Sequence, residues 1–181
     1  MQLAAVASLW LLAVGTLAPV LAEGAGVRRA PGFALPDENM KYHDLADYRG
    51  KVVILEIMLT RCPICKKLAG TLEELKQKYG DRIAVLSVVN PPDNRASVQA
   101  FKQEHGVTSP ILFDCGQMVG SYLLPDPKRP RIHVPHLFLI DAEGMIRKHF
   151  APGDDGVRDR SVLEAEIEKL LPAPARADRG M

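Results

Sequence analysis

The segment Val52-Val53-Ile54-Leu55-Glu56-Ile57-Met58-Leu59-Thr60-Arg61-Cys62-Pro63-Ile64-Cys65 joins a strand, a turn and the start of a helix. Its first half is apolar and rich in β-branched side chains, the pattern of a central strand covered on both faces. Its second half puts Cys62 just ahead of Pro63, and proline is favoured at the first helical position because its missing N–H has no partner to lose there. Leu68, Leu72, Leu75 and Tyr79 then recur at helical spacing, and Gly80 supplies the stop. A second apolar run, Ile83 to Val89, ends at Asn90-Pro91-Pro92. Strand, helix, strand in that order reads as a right-handed parallel crossover.

Working outward, Phe33-Ala34-Leu35 and Lys41-Tyr42-His43 flank Pro36-Asp37-Glu38-Asn39 and predict a small hairpin. Downstream, Asn94 caps a helix over 95–105 that Gly106 ends, Pro110 to Phe113 makes a short strand, and Met118 to Leu124 a short helix. A loop rich in proline and basic residues, Pro125 to Arg131, comes next; Lys128, Arg129 and Arg131 either line a groove for acidic partners or keep the loop solvated. His136 to Ile140 and Met145 to Phe150 alternate around the turn at Asp141-Ala142-Glu143-Gly144, an antiparallel hairpin. Ser161 is positioned to cap a last helix with Leu163, Ile167, Leu170 and Leu171 on one face. The expected class is α/β, with a central mixed sheet flanked by helices.

Composition narrows the function. The 181 residues carry 23 basic and 22 acidic side chains, a net charge of +1 that excludes a dedicated nucleic-acid binder. Three cysteines are too few for a disulfide-stapled scaffold or a four-cysteine zinc site. The core must come from hydrophobic burial, and no cofactor or metal is expected.

Residues 1–22 hold no charged side chain and end in Val20-Leu21-Ala22, small or modest residues at the positions a signal peptidase reads. They are expected to be a signal peptide sending the protein to the periplasm or the exterior. An uncleaved membrane anchor competes, since about 20 apolar residues span a bilayer. Residues 23–30 then read as a flexible lead-in, 31–171 as one domain, and 172–181 as a disordered Ala/Pro/Arg tail. In an oxidising compartment, cysteines are read first as redox groups.

With Cys62 as N-cap, the backbone N–H groups of Ile64 and Cys65 point at its sulfur. Those donors and the helix dipole favour thiolate over thiol, and Arg61, Lys66 and Lys67 add positive potential. A two-residue spacing lets the second sulfur reach the first, so Cys62 fits a nucleophile and Cys65 a resolving thiol. Half of a zinc knuckle, or a Cys3His site completed by Cys115 and a histidine, competes with this, as does a structural disulfide. Glu56 stands alone in a strand that wants to be buried. It is either a proton-exchanging acid with a raised pKa or a carboxylate at a sheet edge or paired with a lysine. Val134-Pro135 opens a strand with a residue that cannot donate to the ladder. It is an ordinary trans proline, or a cis proline facing the cysteines that leaves the Val134 backbone free for a substrate peptide.

Together these residues resemble the thioredoxin fold, and within it the exported TlpA/ResA-type thiol–disulfide oxidoreductases of the AhpC/TSA (redoxin) superfamily. The resemblance runs from about Ala30 to Phe150. It rests on Pro31-Gly32-Phe33-Ala34-Leu35-Pro36, Arg49-Gly50-Lys51-Val52-Val53, Cys62-Pro63-Ile64-Cys65-Lys66, Val134 through Asp141, and Glu143-Gly144. It implies that Cys62 attacks, Cys65 resolves, Pro135 is cis and Val134 binds substrate main chain beside Arg61. Glu56 then exchanges a proton with Cys65, and residues from about Asn90 to Phe113 form the helix–strand unit this subgroup inserts. The implied partners are thiol or disulfide substrates and an upstream electron donor or acceptor.

Two features depart from that group: Arg61 stands where tryptophan is usual, and proline is first rather than second between the cysteines. A peroxiredoxin-like thiol peroxidase is the alternative, although its threonine three places before the cysteine is here Leu59, with Thr60 one place off. A copper metallochaperone of Sco type, using His133 or His136 with the cysteines, is a further alternative. Cys115 is expected to be a semi-buried spare thiol.

Overall fold

A computed structural model describes residues 27–124 and 132–172. The strands are β1 (Arg28–Arg29), β2 (Ala34–Pro36), β3 (Tyr42–Asp44), β4 (Val52–Met58), β5 (Ile83–Val89), β6 (Ile111–Phe113), β7 (His136–Ile140) and β8 (Met145–Phe150). The helices are α1 (Pro63–Tyr79), α2 (Arg95–His105), α3 (Gln117–Leu123), α4 (Asp155–Arg158) and α5 (Arg160–Leu170).

Six strands form one sheet in the order β1-β8-β7-β4-β5-β6, and β2 and β3 form the separate hairpin. β4, β5 and β6 run parallel, whereas β7 is antiparallel to β4 and β8 to β7. Every residue of β4 is buried, Glu56 included, as its otherwise apolar run requires of a strand with neighbours on both edges and helices on both faces. One face of the sheet packs Ile54, Leu137 and Leu139 against Leu68, Leu72 and Leu75 of α1 and Leu163 and Ile167 of α5. The other packs Val53, Leu55, Ile57 and Phe138 under Met118, Val119 and Tyr122 of α3, with Phe33 and Leu45 from the hairpin end. Each fully buried leucine contributes about 1.5–3 kcal/mol of burial free energy. α2 closes the end of the sheet where the parallel strands finish, setting Val98 and Phe101 against Met58, Cys65, Val89 and Ile111.

The helix ends follow local chemistry. Asn94 and Ser97 make a reciprocal capping box at the start of α2. Gly80 ends α1 at φ 55°, a backbone region only glycine enters freely.

Three expectations need correction. Arg28 and Arg29 lie in the segment read as lead-in, yet they form β1, in register with Ile146 and Met145. The Arg28 guanidinium also donates to the Tyr122 carbonyl at 2.6 Å, which anchors a strand too short for a hydrophobic pattern to reveal. The last helix is capped by Asp159, whose carboxylate accepts from the N–H and hydroxyl of Ser161. A carboxylate at the cap leaves the serine inside the first turn, and the short helix α4 just before it had no periodicity to announce it. Cys115 is exposed, because β6 has ended and α3 has not begun where it sits.

The signal or anchor reading of 1–22, the basic loop with Lys128, Arg129 and Arg131, and the tail beyond Pro172 lie outside the described residues.

Candidate active site

β4 delivers the chain to the carboxyl end of the sheet, and three residues later Cys62 begins α1. Cys62 has extended backbone angles (φ −75°, ψ 119°) and Pro63 follows in the first helical turn. The Cys65 N–H donates to Cys62 Sγ at 3.3 Å, so the sulfur takes the place of an ordinary capping oxygen. Of the two amides expected at this sulfur, the geometry assigns that of Cys65. The first turn holds no acidic residue to oppose negative charge on the sulfur. Cys62 is half-buried, Cys65 is fully buried, and both are free thiols.

The turn before Cys62 is braced from two directions. Cys62 N–H returns to the Leu59 carbonyl at 3.0 Å. The Thr60 N–H donates to Asp93 at 2.9 Å, and the Thr60 hydroxyl bonds to the other oxygen of that carboxylate. Arg61, between these anchors, is exposed. Lys66 is committed to Glu104 at 3.6 Å.

The opposite wall is Val134-Pro135, and this peptide bond is cis. Pro135 is buried at the head of β7 and Val134 is half-buried. Cys62 Sγ lies 3.8 Å from the Val134 carbonyl oxygen, toward which the thiol donates. The structure therefore brings together the two segments that sequence reading proposed to face each other, 72 residues apart.

Glu56 lies beneath this surface. It is 1% exposed in the middle of β4, in register with Ser87 of β5, so neither the sheet-edge nor the lysine-paired reading describes it. Ser87 Oγ donates to Glu56 Oε2 at 2.9 Å, while Oε1 has no hydrogen-bond partner among the described residues. Burial raises the Glu56 pKa to about 7, against a smaller opposing effect of the Ser87 hydroxyl. Burial also pushes the Cys65 thiol strongly up, and the Glu56 charge pushes it in the same direction. Both effects keep the Cys65 thiol protonated at rest, next to an acid that can hold or release a proton near neutrality.

His136 turns to a different partner: its Nδ1 lies 2.9 Å from His149 Nε2, and His149 stacks on Phe138 with ring centres 4.2 Å apart. Burial and the neighbouring His149 push the His136 pKa down to about 4. His133 is exposed. Among the described residues, no group of three or more His, Cys, Asp or Glu side chains is placed to hold a metal. Cys115 opens onto a groove of about 430 Å³ whose walls include Ile57, Pro91, Val119, Ile132 and Val134. That groove meets the Cys62 wall at Val134.

Residues 27–149 match the AhpC/TSA family. The chain belongs to that family. Among curated relatives of this AhpC/TSA chain, the thiol-disulfide oxidoreductase ResA of Geobacillus kaustophilus is 29% identical over 143 residues, spanning 79% of this chain and 76% of that protein. The thioredoxin-like protein YneN of Bacillus subtilis is 27% identical over 122 residues, spanning 66% and 68%. A thioredoxin-family thiol:disulfide interchange protein from Chlorobium tepidum superposes with a TM-score of 0.70 at 17% identity, covering 83% of this chain and all of the other. The exposed lipoprotein thioredoxin Etrx1 of Streptococcus pneumoniae superposes with a TM-score of 0.63 at 24% identity, covering 77% and all of it. The thioredoxin fold and the family expected from sequence both stand.

Sequence reading missed Ser87, Thr60 and Asp93. A signal for Ser87 existed, since a lone hydroxyl in the apolar run Ile83 to Val89 is the same kind of anomaly as Glu56. Asp93 gave none, because its partner is 33 residues away, beyond α1 and β5.

Proposed function

We propose that this AhpC/TSA-family protein is a thiol–disulfide oxidoreductase in which Cys62 and Cys65 are the redox pair. The observation that carries this is the asymmetry of the two thiols. Cys62 stands half-buried with a backbone donor on its sulfur, while Cys65 is buried and feels the charge of an acid poised near neutrality.

The geometry supports the following sequence. Cys62 attacks a substrate disulfide as the thiolate, forming one sulfur–sulfur bond and breaking another; the departing substrate sulfur leaves with the electron pair and takes up a proton. Cys65 then passes its proton to Glu56 and attacks Cys62 Sγ. The second substrate sulfur is released and the Cys62–Cys65 disulfide closes, so two electrons have moved from protein to substrate. Run backwards, the same steps oxidise a dithiol. An upstream thiol donor or acceptor resets the pair. Val134 main chain and Arg61 border the position a substrate peptide takes beside Cys62, and thiol or disulfide proteins are the substrate class.

Export to the periplasm or exterior fits this chemistry, since disulfide exchange there meets substrates that persist oxidised. The apolar run at 1–22 is the sequence feature behind that placement. A peroxidase reading draws no support from the turn before Cys62, where Leu59 stands in the threonine position and the Thr60 hydroxyl is engaged by Asp93.

The test is a trap. Full-length Cys65→Ala protein, expressed in its host, is expected to accumulate covalent partners on Cys62 that reductant releases, whereas Cys62→Ala accumulates none. Folded, exported Cys65→Ala protein with no covalent partner would overturn the proposal.

A further inference from the structure

Glu56 also borders a small cavity. Its walls are Glu56, Ala69, Leu72, Glu73, Val85, Ser87, Phe101, Val107 and Ser109, and it offers about 10 Å³ of room for the centre of a water molecule. That is close to the space one water needs. Neither cysteine is among those walls.

Two polar atoms at this cavity are buried without a hydrogen bond of ordinary geometry among the described residues: Glu56 Oε1, and Ser109 Oγ, which is near enough to the Glu73 carboxylate to favour its charge. Their residues are 1% exposed, and a buried acceptor or hydroxyl left unsatisfied is costly. A third wall residue, Glu73, leads outward. Its Oε1 accepts from the Ser109 N–H at 2.9 Å and its Oε2 from the Thr108 hydroxyl at 2.6 Å. Thr108 is exposed, and its hydroxyl also accepts from Lys76 Nζ at 2.8 Å.

We propose that this cavity binds one water joining Glu56 Oε1 to Ser109 Oγ, and that Glu73 is the outlet through which the buried acid exchanges its proton with solvent. The inference rests on the redox reading of Glu56 and adds the regulation of its proton. In each cycle Glu56 receives the Cys65 proton and must lose it again. Glu56 gives its proton to the water as the water gives one to the Glu73 carboxylate. Glu73 releases it at the Thr108 surface, so one proton leaves the interior and no other bond changes. Burial works against the Glu73 charge, but the donors from Ser109 and Thr108 and the nearby Lys76 hold its pKa below the usual carboxylate range. It therefore passes a proton on and does not store it. Among the described residues, the ionisable groups facing Glu56 are Cys65 and Glu73, both from α1; α2 contributes Phe101, β5 Ser87 and β7 Leu137.

Nuclear magnetic resonance on the reduced full-length chain tests this without relying on turnover. Wild type is expected to show a long-lived water contact to the Ser109 amide and the Val85 and Val107 methyls. Ser109→Ala is expected to lose that contact and to raise the Glu56 carboxyl midpoint, read from its carboxyl carbon, by at least threefold in proton affinity. Glu73→Gln should keep the contact, leave alkylation of Cys62 unchanged, and slow turnover severalfold at pH 7 with an enlarged solvent isotope effect. A wild-type cavity without the water contact, an unmoved Glu56 midpoint in Ser109→Ala, or unchanged turnover in Glu73→Gln would each overturn the outlet. Loss of disulfide exchange from the wild type would instead overturn the redox reading, while leaving the water and the midpoint measurable.

Discussion

The Cys65 amide hydrogen is directed at the sulfur of Cys62 across 3.3 Å, whereas the Cys65 sulfur is withdrawn into the protein, fully buried. One residue thus supports the exposed thiol with its backbone and keeps its own thiol in reserve. The two cysteines differ chemically although only two residues separate them.

That difference is measurable by alkylation. In a Cys115→Ser background, which removes the exposed third thiol, iodoacetamide at pH 7 is expected to modify Cys62 at least about tenfold faster than Cys65. Peptide mass spectrometry over a time course reads the two rates. Equal rates would mean that burial does not separate the thiols.

Glu56 should leave its mark on stability. Its pKa is raised from 4.5 to about 7 by burial, so between those values the unfolded chain ionises while the folded one holds its proton. Folding is free of this cost below about pH 4.5, and the cost grows to its full size above about pH 7. The full size is about 3 kcal/mol, from roughly 1.4 kcal/mol per unit. Glu56→Gln does not titrate, so its stability relative to wild type is expected to improve by about that amount between pH 4 and pH 8 in urea unfolding. A gap that stays constant with pH would show that burial does not raise the Glu56 pKa.

Activity should follow the same group. Glu56→Gln keeps the acceptor for Ser87 but cannot take a proton from Cys65. The first attack by Cys62 is expected to proceed at near the wild-type rate, while closure of the internal disulfide slows by about 10²-fold or more. Stopped mixtures resolved by mass spectrometry would show the mixed disulfide accumulating.

A separate prediction concerns the scaffold. Gly156 lies in α4, and a Cβ there would overlap three ring carbons of buried Phe150. Alanine in a helix gains up to about 1 kcal/mol over glycine, but overpacking a filled core costs about 1–3 kcal/mol. The clash wins, so Gly156→Ala is expected to lower thermal stability without changing alkylation of Cys62.

Where structure arises from patterns that burial itself writes, it was readable in advance. The limits of β4 and β5, the capping of α2 by Asn94 and the opposition of Val134 to Cys62 all follow from periodicity, cap chemistry or family motifs carried by local residues. The elements that escaped are held by contacts their own sequence does not encode. β1 has two residues and depends on pairing with β8 and on Tyr122. Asp93 braces the turn before Cys62 from beyond α1 and β5, and Ser109 shares a cavity with Glu56 although 53 residues separate them in the chain. Cys115 is expected to be semi-buried because free cysteines usually are; the gap between β6 and α3 exposes it.

The most direct measurement is to mix the reduced wild-type chain with a small peptide disulfide, quench in acid and map every cysteine by mass spectrometry. The account predicts stoichiometric reduction of the peptide and a single intramolecular bond between Cys62 and Cys65, with Cys115 still free. An unreduced peptide, or a product bonded through Cys115 with Cys65 left as a thiol, would contradict it.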